Sequence, residues 1–195
     1  ERHRRRFFAA CHRAFEKAQN EMVLLLEQIR DEVDEEEQTR IELVVRKIAD
    51  AIAVQMVQAE THVMRRFCIH RTAPAIDVGT LRKALEEANR LNAESRQTFA
   101  LLADLTTFVH IADILRIDVR DTPKVKLIEL KSGTVNNVLL SALERYEPEP
   151  TALERIAKDP GIQDRHRKQA MRMMKQRIRL QQTEEVIEKD EGIDP

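Results

Sequence analysis

The sequence contains few of the residues that build β-sandwiches and tight turns. Among its 195 residues there is no Trp, one Tyr and four Gly, and aromatic residues make up only 4%. Charged residues, in contrast, make up 34% of the chain. Because Ala, Leu, Glu, Lys and Arg favour helices and Gly does not, this composition predicts long helices and argues against an all-β domain.

Cysteine is also scarce. Cys11 and Cys68 lie far apart in the chain, and neither belongs to a CxxC or CxxH pattern. Their spacing indicates neither a disulfide framework nor a zinc site, so we expect a reducing, cytoplasmic environment. Glu1 and the final Gly-Ile-Asp-Pro further suggest a piece of a longer protein.

Long apolar runs and common catalytic motifs are missing as well. The most apolar early run, 22–26, is far shorter than the roughly 18 residues that a membrane helix needs, so we expect no membrane partner. The sequence contains no GxSxG, P-loop, GxGxxG or HExxH motif. The net charge of -1 excludes a uniformly basic coat for nucleic acid, although a local basic patch remains compatible with it.

The first third of the chain reads as an extended helical region. Residues 7–67 contain no Pro or Gly, and apolar residues recur at helical spacing. An acidic run at 31–37 favours a bend, after which 41–57 folds back onto 8–29. We expect residues 1–75 to form a helical region that mediates homo-oligomerisation or docking to a partner protein.

A linker is predicted at 70–79, where Pro74 and Gly79 occur, so a second domain would span 80–195. Thr80 is a candidate cap for a second helix, whose apolar stripe continues from Leu81 through Phe99 to Leu105. A helix over 135–145 is predicted further on. Thr151 with Glu154 forms a capping-box pattern, and a long final helix is expected at about 162–189.

Between these helices the hydrophobic period changes from 3.6 to 2. Alternation over 111–119 and again over 125–131, separated by a turn at 121–124, predicts a β-hairpin. In such a hairpin Asp113 lies opposite Glu129 or Lys131, on a face that is otherwise apolar. Charges on an apolar face are costly unless they are paired or metal-bound, and two carboxylates provide hard oxygen ligands for Mg²⁺ or Mn²⁺.

This hairpin resembles the PD-(D/E)xK nuclease superfamily. The resemblance lies in Asp113 on the first strand and in the run Leu127-Ile128-Glu129-Leu130-Lys131 on the second. It implies that Asp113 and Glu129 bind the metal with the carbonyl of Leu130, and that Lys131 is the catalytic lysine. A further acid would come from a preceding helix, as Glu94 or Glu87.

Two features depart from the family pattern. No Pro precedes Asp113, and no clear fourth strand follows the helix after the motif. The missing strand would lie beyond Pro195 or be absent, which would leave the nuclease core incomplete. The competing interpretation is a hairpin whose Glu129 and Lys131 face solvent.

The last predicted helix concentrates positive charge, with seven Lys and Arg against one Asp over 164–179. Such a helix suits phosphate contacts. We expect DNA to contact Lys168, Gln169, Arg172, Lys175 and Arg179.

The sequence therefore predicts a predominantly helical α+β chain, with a long N-terminal helical region followed by a small restriction-endonuclease-like sheet and flanking helices. Its expected function is Mg²⁺-dependent DNA hydrolysis. A homodimer would suit an endonuclease, because two sites related by a twofold axis can address both strands. The alternative is a non-catalytic helical scaffold or adaptor whose basic last helix binds an acidic partner.

Overall fold

The structure, a computed structural model, describes residues 2–58, 61–68, 75–119, 124–131 and 134–190. The described chain is a predominantly helical α+β protein with one small antiparallel sheet. Its elements, in chain order, are α1 (Arg2–Glu32), α2 (Glu35–Met56), α3 (Thr61–Phe67), α4 (Val78–Glu94), β1 (Thr98–Leu102), a 3-10 turn (Ala103–Leu105), β2 (Ile114–Asp118), β3 (Lys124–Ile128), α5 (Thr134–Leu143), α6 (Pro150–Lys158) and α7 (Asp164–Asp190).

The chain forms two compact units that divide between Glu129 and Leu130. The first unit contains α1 to α4 and the sheet, and the second contains α5 to α7. The helices assigned to 1–75 thus belong to the same unit as the sheet. The functional division between 1–75 and 80–195 stays a prediction, and the linker residues 70–74 lie outside the described residues.

The predicted bend in the acidic run is confirmed. α1 ends at Glu32 and α2 begins at Glu35, with Asp34 as the N-cap whose Oδ1 accepts a hydrogen bond from the backbone N–H of Glu37 at 2.9 Å. The three Glu residues of the first turn also suit the positive end of the helix dipole. This part of the acidic run is therefore explained by the start of a helix.

The predicted hairpin is confirmed as β2 and β3. The strands pair in antiparallel fashion with Ile114 opposite Ile128 and Leu115 opposite Leu127. Both strands are shorter than predicted, because regular pairing stops at Ile114 and Ile128. In consequence Glu129 and Lys131 follow the strand and do not lie within it.

The prediction that 98–105 continues a helix is wrong. α4 ends at Glu94, and Thr98–Leu102 forms β1, which pairs with β2. Two buried amides complete the other edge of β1: the backbone N–H of Ala100 donates to Asn92 Oδ1 at 2.8 Å, and that of Leu102 donates to Gln19 Oε1 at 2.9 Å. Tertiary hydrogen bonds thus override the helical spacing, and they block this edge from pairing with another strand.

Two predicted helix caps are also wrong. The N-cap of α4 is Asp77, whose side chain accepts from the backbone N–H groups of Gly79 and Thr80, so Thr80 lies inside the first turn. α6 begins at Pro150, because Pro is well suited to the first helical position, and Glu149 precedes it as the N-cap residue. Thr151 is therefore not a cap.

The second unit has an apolar core of its own. α6 and α7 pack together, and α5 packs on α7. Met173 and Met174 of α7 are fully buried in this core, so they serve helix packing. The core residues are Leu139, Leu143, Tyr146, Ala152, Ile156, Ile162, Ala170, Met173, Met174 and Ile178.

Candidate functional site

The end of the β2–β3 hairpin carries two carboxylates, with Asp113 directly before β2 and Glu129 directly after β3. Each of these acids lies one residue beyond the last regular pair of the hairpin, Ile114 opposite Ile128. The backbone N–H of Asp113 donates to the carbonyl of Ile128 at 3.0 Å, and its carbonyl accepts from the N–H of Ala103 at 2.9 Å. Hydrogen bonds on both sides therefore fix the backbone position of Asp113.

This carboxylate pair borders a buried face. Ile111, Leu115 and Leu127 are buried, whereas Asp113 and Glu129 are half-buried. The apolar neighbours of this face are thus covered by protein, and the alternative in which Glu129 and Lys131 face solvent stays a prediction, since both side chains are half-buried. Water screens partly buried carboxylates less well than exposed ones. A nearby cation, proton or hydrogen-bond donor therefore stabilises these two acids more than it would stabilise exposed acids.

Asp104, in the 3-10 turn after β1, is a further acid of this region that was not among the predicted site residues. Burial raises the pKa of Asp104 above its ordinary value, Arg46 opposes that rise, and the negative charge of Glu129 adds to it. The carboxyl groups of Asp104 and Glu129 are thus close enough for their charges to interact. The sequence feature that could have indicated Asp104 is its position directly after the apolar run 99–103.

α2 anchors the segment that carries Asp104. The guanidinium of Arg46, which is only 5% exposed, donates to the carbonyls of Asp104 at 3.1 Å and Thr106 at 3.0 Å. It also pairs with Glu42 at 2.8 Å. Asp50 accepts from both the backbone N–H and the hydroxyl of Thr107, at 2.6 and 2.7 Å. The turn is therefore held by charge-assisted bonds from one helix.

Neither Glu87 nor Glu94, the predicted additional acids, is brought to Asp113 by the contacts that the structure gives. Both carboxylates pair with Arg90, at 2.6 and 2.8 Å, and Arg90 lowers the pKa of Glu87. Glu94 also lies 3.3 Å from Arg116, which alternates with Leu115 and so points to the opposite face of the sheet. These acids form a surface ion-pair network on α4.

The oxygen ligands that Asp113 and Glu129 could provide are of the type that hard cations prefer. Asp113 and Glu129 supply carboxylate oxygens, which together with a backbone carbonyl and waters match the preference of Mg²⁺. Within the described ranges, no group of three or more His, Cys, Asp and Glu side chains could hold a metal ion. A metal here would therefore depend on two carboxylates plus carbonyl and water oxygens.

In the second unit, Lys131 has a defined partner. Its Nζ donates to Oε1 of Gln176 on α7 at 2.7 Å, and both side chains are half-buried. No local sequence pattern indicates Gln176 as a partner of Lys131. The predicted Gln169 instead donates to Asn136 of α5 at 3.1 Å, so it joins two helices of the unit.

α7 presents a straight row of cations. Five exposed residues recur at intervals of three and four, so they lie along one side of the helix. The row extends over about 21 Å at 1.5 Å per residue. It includes four of the five predicted DNA-contacting residues, and we call it the cationic stripe: Arg165, Lys168, Arg172, Lys175 and Arg179.

The other cations of α7 have structural partners. Arg177 donates to the carbonyl of Leu143 at 2.8 Å, and Arg167 donates to that of Ile162 at 3.1 Å and pairs with Asp164. No residue of the cationic stripe forms an ion pair with another described residue. The stripe therefore offers its charge to solvent or to a ligand.

Comparisons with protein-family models, with curated proteins and with solved structures find no match to this chain. Among the described residues, no helix is both long enough and apolar enough to cross a membrane. Cys11 and Cys68 are not joined in a disulfide.

Proposed function

We propose that this chain is a cytoplasmic, Mg²⁺- or Mn²⁺-dependent deoxyribonuclease that acts as an endonuclease. The observation that supports the proposal is that Asp113 and Glu129, both half-buried, each lie one residue beyond the last pair of the hairpin, at the margin of a buried face. Lys131 follows Glu129 by two residues, in the spacing that resembles the PD-(D/E)xK motif. The number and spacing of the cysteines, which indicate no disulfide framework, support a reducing compartment.

Each residue has a chemical role in this proposal. Asp113 and Glu129 would hold the cation, together with the carbonyl of Leu130. When bound, the cation would polarise a phosphodiester and lower the pKa of a water. Lys131, held by Gln176, would orient the attacking water and offset negative charge on the phosphate. Asp104 adds negative charge near Glu129, which favours cation binding when both are ionised.

The substrate assignment is supported by the cationic stripe. Lys and Arg side chains that neutralise phosphates supply most of the sequence-independent affinity for nucleic acid. Five such side chains, exposed and free of acidic partners among the described residues, match a polyphosphate backbone better than they match a small anion. The choice of DNA over RNA comes from the family resemblance.

Cleavage of plasmid and single-stranded DNA with Mg²⁺, Mn²⁺ or EDTA tests the proposal. We expect Asp113→Asn, Glu129→Gln and Lys131→Met each to lower the cleavage rate by about 10²- to 10³-fold, because each removes a charge that acts on the reacting phosphate. Glu94→Gln and Lys126→Met are the matched controls and should retain activity. Circular dichroism would verify that every variant is folded.

Wild-type cleavage that persists in EDTA, or that survives Glu129→Gln, would overturn the assignment. If the wild type binds DNA through the cationic stripe without cleaving it under any metal, the adaptor interpretation takes its place. The stripe by itself favours that second candidate, because exposed cations need no catalytic site to bind an acidic partner.

A further inference from the structure

The first unit carries a continuous apolar strip along α1 and α2. A depression of about 1,340 Å³ lies between the two helices and reaches Phe99 of the sheet. A second depression, of about 540 Å³, lies nearer the bend that joins α1 to α2. Val44 and Ile48 line both, so they form a ridge between the two depressions. We call the whole feature the α1–α2 strip.

Large apolar side chains on this strip are exposed. Val44 is 58% exposed and Ile48 46%, and Leu24, Leu25 and Leu43 are each exposed by two fifths or more. α2 thus has a second apolar side, since Val45, Ala49 and Ala53 already fill its buried side. On the outer side Ile41, Val44, Ile48 and Ala51 repeat at intervals of three and four, which is the spacing of helices that pack on another helix.

We propose that a second copy of this chain covers the α1–α2 strip in a twofold-symmetric dimer. In a twofold contact the same patch occurs on both sides, so it must be complementary to itself. A ridge between two unlike depressions meets that condition, because the two ridges can pack against each other at the twofold axis while the larger depression of each copy faces the smaller depression of the other. The strip also includes about as many residues as one side of a standard interface, roughly 20 to 30.

Charge supports the same arrangement. The smaller depression is lined by Glu21, Glu37 and Arg40, which leaves one excess negative charge. The larger depression is lined by a single charged residue, Lys47, and by no acid. A twofold contact that sets the larger depression of one copy over the smaller depression of the other would bring unlike charges together at both ends. This inference is independent of the nuclease proposal.

Analytical ultracentrifugation under reducing conditions tests the dimer. We expect the wild type at micromolar concentration to sediment at twice the monomer mass of 22.7 kDa. Val44→Asp and Ile48→Asp should shift the dissociation constant by at least about 100-fold toward monomer, because each would bury a charge in the contact. Val138→Asp is the matched control, since Val138 is 63% exposed but lies in the second unit. It should leave the dimer unchanged.

A charge-swap pair tests the alignment of the two copies. Lys47→Glu and Glu21→Lys should each weaken the homodimer by about tenfold, and an equimolar mixture of the two variants should recover part of the lost affinity. A monomeric wild type would overturn the proposal and would mean that another partner covers the strip. Dimers that survive Val44→Asp would overturn it as well, and a mixture without recovery would contradict the proposed alignment.

Discussion

Asp104 is a carboxyl group whose ionised form is disfavoured by its surroundings in the first unit. Burial and the charge of Glu129 both raise its pKa, and Arg46 compensates only in part. A carboxyl whose pKa is raised on folding binds its proton more tightly in the folded state than in the unfolded chain. The free energy of unfolding therefore falls as the pH rises from the unfolded pKa, about 3.9, through the folded one.

From this linkage we expect Asp104→Asn to be more stable than the wild type at pH 7. The gain should shrink toward pH 3, where the wild-type carboxyl is protonated in both states. Urea denaturation at several pH values measures the difference, with the exposed Asp31→Asn as a control. A variant that is less stable at pH 7 would show that the ionised carboxylate contributes favourable contacts that outweigh its burial.

Among single residues, the sequence predicted the positions that follow from strand alternation. It did not predict contacts between residues that are distant in the chain and close in space. The hairpin and the approximate positions of Asp113 and Glu129 at its end could be predicted, because residues that oppose each other in a hairpin share a face. Asp104 could not be found in the same way, since its approach to Glu129 requires β1 to lie beside β2. The Lys131–Gln176 hydrogen bond joins residues 45 positions apart, which no local pattern encodes.

Among the elements, α7 combines a buried apolar side with the exposed cationic stripe. Ala170, Met173, Met174 and Ile178 face the core of the second unit. The alternation of three and four residues between stripe positions keeps all five cations on the opposite side of the helix. The same helix can therefore hold the unit together and present phosphate-binding groups.

Reversing the charge of Lys168, Arg172 and Arg179 to Glu should weaken DNA binding on all sequences alike. Each lost phosphate contact should also flatten the plot of log affinity against log salt by about 0.9 unit. Fluorescence anisotropy from 50 to 200 mM salt measures both. Reversal of the exposed Arg65, Lys83 and Arg96 of the first unit is the matched control. Equal losses in both triple variants would indicate a general charge effect and count against the stripe.

The element with the least predictable identity was β1. Phe99 and Leu102 of β1, together with Leu105 of the following turn, fit the helical spacing of α4, and an uninterrupted apolar run of this length suits a buried strand equally well. The amides of Gln19 and Asn92 decide between the two, because they satisfy backbone groups that a helix would have bonded internally. One of these partners lies 83 positions away.

For the molecule as a whole, the decisive feature is the division into two units. The Pro and Gly signals at 70–79 predict a boundary there, but α1 bonds to β1 through Gln19, so both belong to the first unit. The two compact units divide after β3, where no Pro-rich or low-complexity segment marks the division, and the functional boundary predicted at 70–79 stays a prediction. Which elements share a core depends on packing, and the sequence does not reveal that directly.

The two cores allow the units to be perturbed separately. Ile156 is fully buried in the core of the second unit, and Leu115 is fully buried in the first. Replacing either with Ala leaves a cavity and should cost about 2–5 kcal/mol of unfolding free energy in the unit that holds it. We expect Ile156→Ala to lower amide protection in α5 to α7, and Leu115→Ala to lower it in α4 and the sheet.

Hydrogen exchange followed by mass spectrometry measures this protection peptide by peptide. Each variant is the control for the other, because both remove apolar volume from a fully buried position. Loss of protection across the whole chain in both variants would contradict two separate cores and would mean that the chain unfolds as one cooperative body. Loss confined to the altered unit would allow the carboxylates near Glu129 and the cationic stripe to be tested one at a time.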